Sequence, residues 1–125
     1  MATGDITYTK YAQGDVGSMA CGSLVADISE DTIIQCGFQP SRVCLFVKDA
    51  DGTANYRVEW NVAMGSTVYT LMADGGDITF VTTATHLPFP YAQVRGTNQA
   101  GFLLSTELLT AYAADDDVIY WEAYR

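Results

Sequence analysis

The chain has 125 residues, enough for one domain with a hydrophobic core, and its 49% hydrophobic content excludes global disorder. Six Lys and Arg against fifteen Asp and Glu leave a net charge of −9, which repels nucleic-acid phosphate, and the cations form no basic patch in the sequence. No apolar run is long enough for a membrane-spanning helix, and "MATGDITYTK" lacks the pattern of a signal peptide, so no membrane contact and synthesis in a cytoplasm are expected.

Residues 1–22 hold four glycines and few large apolar groups. They read as an N-terminal arm or edge segment, ahead of a domain over residues 23–125. Ile6, Tyr8 and Tyr11 give this arm an extended apolar run. They are the candidate partner-binding residues, because extended segments bind by adding to a neighbour's sheet edge. The alternative is that the arm is the first strand of the domain's own sheet.

Strands are expected at residues 6–11, 23–28 and 32–36. "CGFQPSRVCLF" follows, over residues 36–46. Gly37 permits a backbone conformation that other residues avoid, and Pro40 fixes its own φ, so a rigid corner feeds a strand over 42–48. There Val43, Leu45 and Val47 alternate with Arg42, Cys44, Phe46 and Lys48. "DADGT" supplies the turn of a hairpin to residues 54–62, where Tyr56, Val58, Trp60 and Val62 share one face. That face is expected inside. Weaker or shorter strands are expected at 68–72, 78–83, 91–95 and 101–104. Residues 106–114 are the one helix candidate, and 118–124 form a closing strand with Ile119, Trp121 and Ala123 inward. The class is therefore all-β: a single-domain β-sandwich or barrel of short, mostly antiparallel strands with little helix.

The chemistry-bearing residues do not assemble into a known motif. The one histidine, His86, lies in the loop "THLPFP" without a nucleophile motif beside it. Cys21, Cys36 and Cys44 have neither disulfide-framework nor zinc spacing and read as packing residues. "DADGT" begins like a calcium loop, yet Trp60 stands where the twelfth-position Glu belongs. "DDD" at 115–117 reads as a turn. No enzymatic activity, catalytic residue, cofactor or metal is expected.

Two segments carry a likeness: "DTIIQCGFQPSRVCLFVKD" at 31–49, with its Gly-Phe-x-Pro-Ser-x-Val corner, and "AGFLLSTELLTAYAADDDVIYWEAYR" at 100–125, with its Tyr-Trp-x-Ala strand. With Trp60, these make the chain resemble small all-β virion structural proteins of tailed bacteriophages, of the capsid decoration or cement kind. The resemblance implies a non-enzymatic protein that binds the major capsid protein on the outer capsid surface, stabilises the shell and self-associates as a small symmetric oligomer. The alternative it leaves open is a sugar- or protein-binding module of a phage fibre, spike or head-proximal structure.

Overall fold

The computed structural model describes residues 19–52, 55–74, 76–83 and 100–125 in full, and the backbone of 6–9 and 89–91. Half of the chain is strand and the architecture is all-β, in two sheets that do not close into a barrel. The strands are β1 (Ile6–Thr9), β2 (Met19–Val25), β3 (Thr32–Gln35), β4 (Arg42–Lys48), β5 (Tyr56–Asn61), β6 (Tyr69–Ala73), β7 (Ile78–Val81), β8 (Phe89–Tyr91), β9 (Gly101–Leu104) and β10 (Val118–Tyr124). One helix, α1 (Thr106–Tyr112), joins β9 to β10. The small sheet has the order β1-β3-β9-β8 and the large one β2-β10-β4-β5-β6-β7. All pairings are antiparallel except β1 with β3.

Period-two alternation builds the large sheet. Across its inner face run Trp121, Leu45 and Val58 in register, with Ala123, Val43 and Trp60 in the next row. All six are buried. The small sheet contributes Ile34, Phe102 and Leu104 to the same core, and the Phe102 ring meets Trp121 edge-on at 5.6 Å. Within the small sheet, β9 enters so close to β3 that its first residue must be glycine: a Cβ on Gly101 would collide with the Ile34 carbonyl oxygen. Helix α1 covers the open side. Ser105 caps it by accepting from the Leu108 amide, 3.1 Å away, and Leu108 and Leu109 enter the core.

The expected corner at 37–41 is built as the residues suggest. Gly37 takes a φ of 91° and Phe38 is buried. The expected hairpin of β4 and β5 is present, with Val43 opposite Trp60 and Leu45 opposite Val58. Three expectations need correction. Val62 is 67% exposed, because Asn61 ends the strand and its side chain accepts from the Ala63 amide, starting a turn of 3-10 helix at Val62–Met64. Tyr56 is only half-buried, against the Tyr112 ring. The second strand begins at Met19 rather than at Ser23, so Ala20 and Gly22 already belong to the large sheet and face Ala123 and Trp121. The segment containing Ile6 and Tyr8 pairs by its backbone with β3 of the same chain. Tyr11, His86 and the expected strand residues 92–95 lie outside the described residues.

Candidate interaction surface

The outer face of the large sheet carries the side chains that the core rejects. Register sets them in rows. Ser23, Tyr120, Phe46, Arg57, Met72 and Ile78 follow one another across six strands, and Cys21, Glu122, Cys44, Glu59, Thr70 and Phe80 form the next row. Isolated exposed apolar residues need no explanation, but here Ile78 (61% exposed), Phe80 (69%) and Tyr120 (48%) share one face.

Charge holds the middle of this face together. Glu59 receives two guanidiniums: Arg42 Nη2 lies 3.3 Å from Oε2, and Arg57 pairs with Oε1. Arg57 also lies over the Phe46 ring at 5.4 Å, and Arg42 over Tyr124 at 4.9 Å, while the Tyr124 hydroxyl donates to Glu122 at 2.9 Å. Each contact is partly solvated and contributes little stability alone. Together they cover Cys44, which is 1% exposed although it points to this outer side. Burial, and then the nearby Glu59 carboxylate, push its thiol above the usual cysteine range, so it is a protonated packing group. Cys36 is likewise raised by burial, whereas Cys21, expected as a packing residue, is exposed on the edge strand β2.

Two shallow grooves mark the face. One, of about 410 Å³, lies between Phe46, Tyr120, Lys48, Arg57 and Met72 beside the β4–β5 turn. The other, of about 260 Å³, lies between Arg57, Glu59, Thr70, Met72, Ile78 and Phe80. Three of the chain's six cations, Arg42, Lys48 and Arg57, belong to this face. Ten of the fifteen acids instead occupy the turns at 26–31, 49–52, 74–77 and 113–117, which the strand registers bring to one end of the molecule.

Several of those acids hold backbone. Asp117, 4% exposed, accepts from the Ala50 and Ala114 amides at 2.9 and 2.8 Å. Asp115 accepts from Ile28, Asp31 from Thr106, and Asp49 from Asp51. The turn reading of "DADGT" and "DDD" therefore has a physical basis in these bonds. Among the described residues no group of three or more His, Cys, Asp or Glu side chains is placed to hold a metal ion. Of the site residues expected from the sequence, Ile6 and Tyr8 belong to β1 in the small sheet, and Tyr11 lies outside the described residues. The Ile78–Phe80 strip is the part that sequence reasoning missed, since a short apolar run reads the same whether it faces a core or solvent.

Compared with protein-family models, curated proteins and solved structures, the chain matches none of them.

Proposed function

We propose that the chain is a non-enzymatic virion structural protein of a tailed bacteriophage, a decoration protein that binds the major capsid protein from outside and stabilises the shell. The observation that supports this reading is the outer face of the large sheet: a broad surface on which exposed Ile78, Phe80 and Tyr120 surround an ion-paired centre. Apolar anchors beside charges that can choose a partner are what a protein-binding surface needs. Ile6, Tyr8 and Tyr11 are the proposed second contact, made not from a free arm but from a segment whose strand β1 already pairs with β3 at the edge of the small sheet.

Shells lacking the protein, mixed with the purified chain, are expected to bind it at a fixed ratio at symmetry-related positions seen by cryo-electron microscopy. Tyr120→Ser with Phe80→Ser should abolish that binding while the melting temperature holds. Removing residues 1–11 should weaken it. Shells that take up none of the wild-type chain would reject the proposal. The groove beside Tyr120, with Asn55 and Arg57 on its walls, favours a second reading as a saccharide-binding module. In that case calorimetric titration with oligosaccharides, and not shell binding, would respond to Tyr120→Ser.

A further inference from the structure

Strand β7 is the last strand of the large sheet on one side, and among the described residues nothing pairs with its outer edge. A bare edge offers a row of backbone donors and acceptors to any other strand. Proteins that stay monomeric usually blunt such an edge with a lysine, a proline, a bulge or an inward charge. The β7 sequence Ile-Thr-Phe-Val has none of these. Its first three residues are exposed, Ile78 and Phe80 among the most exposed large apolar residues of the protein. At the other margin of the sheet, β2 exposes one large apolar side chain, Val25. The two margins are therefore not equivalent.

We infer that β7 is a self-association edge: it pairs antiparallel with β7 of a second copy across a two-fold axis at Thr79, joining two six-stranded sheets into one. Directly opposed residues in an antiparallel pair share a face. With Thr79 opposite its own copy, Ile78 of each chain meets Phe80 of the other, twice, on the outer face. Aromatic and β-branched residues are favourable cross-strand partners.

Charge argues for a second copy in this orientation. A chain with a net charge of −9 repels itself unless the contact avoids its acids. β7 carries no charge, and the nearest acid in its turn is Asp77. Antiparallel pairing about Thr79 sets the two Asp77 residues at opposite ends of the seam, roughly 13 Å apart at about 3.3 Å per residue. That exceeds the screening length of about 8 Å in physiological salt. Parallel pairing would place them side by side. The acidic turns at 74–77 likewise fall at opposite ends. This inference does not depend on the proposed function, although a two-fold pair would double the outer face offered to a repetitive surface.

Sedimentation of the full chain tests it. The wild type is expected to form a dimer whose population rises with concentration. Thr79→Lys and Thr79→Glu each bring like charges into direct opposition, so each alone should dimerise at least about tenfold more weakly. Circular dichroism should give both variants the wild-type melting temperature at low concentration, because Thr79 is exposed. Mixing the two variants should restore association, since opposite charges then meet across the two-fold axis, and they do so only in this register. A wild type that stays monomeric at high concentration overturns the inference. So does either variant associating as tightly as the wild type, or a mixture that associates no better than its components.

Discussion

The centre and the margin of the large sheet differ sharply. At the centre, β10 lies between β2 and β4 in seven-residue registers on both sides, and its inward Ile119, Trp121 and Ala123 are 1%, 2% and 0% exposed. At the far side, β7 runs for four residues and keeps most of its apolar surface in water. The same rule of alternation operates in both places. What differs is whether a second layer exists to receive the inward face. Phe102 of the small sheet covers Trp121, whereas Thr79, on the inward side of β7, remains exposed. Burial is thus concentrated in the centre, while the margin keeps Ile78 and Phe80 exposed.

Substitutions can break this contrast, beginning at the centre. Trp121→Ala removes a fully buried indole and should cost about 3–5 kcal/mol in urea unfolding, with Trp60→Ala in the same range. A loss below about 1 kcal/mol for either would mean that the centre is not where stability lies. Next comes the acidic end. Asp117→Ala removes two part-buried hydrogen bonds from the Ala50 and Ala114 amides to a carboxylate and should cost about 1–3 kcal/mol.

A pH titration sharpens the comparison at the helix-covered side. Tyr69 is fully buried and hydrogen-bonded to Tyr112. Burial, then that bond, raise its phenol well above the ordinary value of 10.0. A raised folded value means that the stabilisation is complete below the unfolded phenol's pKa and is lost as pH rises through and beyond it. Melting temperature should therefore fall above about pH 10, and Tyr69→Phe should flatten that fall. Equal slopes for the two proteins would remove Tyr69 from the account. The smallest effect is expected at the margin, where Phe80→Ser should change monomer stability by no more than about 0.5 kcal/mol.

Much of this fold was legible because its side chains alternate without ambiguity. Val43, Leu45, Val58 and Trp60 announce one buried face, and "DADGT" announces the turn between their strands. The ordering of strands was not legible. Nothing local to residues 118–124 says that they lie between β2 and β4, since pairing partners are chosen by tertiary packing. Alternation sets Cys44 on the face opposite Val43 and Leu45, and its burial there depends on charged neighbours from three strands, Arg42, Arg57, Glu59 and Glu122, gathered around it, which no single stretch of sequence shows. Val62 continued the alternation by residue type, yet Asn61 offered its side chain to the next turn and the chain left the sheet. For the surface, Arg42, Arg57 and Glu59 were readable as an outward set, whereas Ile78 and Phe80 looked like any core strand.

The central place of β10 has a consequence for how the protein is made. The neighbours that β10 joins, β2 and β4, begin at Met19 and Arg42, but the strand between them ends at Tyr124. During synthesis, at about 5–20 residues per second, the early strands emerge long before their common partner. Until Tyr124 has been added, Leu24 and Leu45 have no Ile119 or Trp121 between them, and both strands keep an open side. The nascent chain therefore cannot complete the large sheet progressively from its beginning. Closure of the large sheet waits for β10, and until it arrives the open sides of β2 and β4 are exposed to wrong pairing.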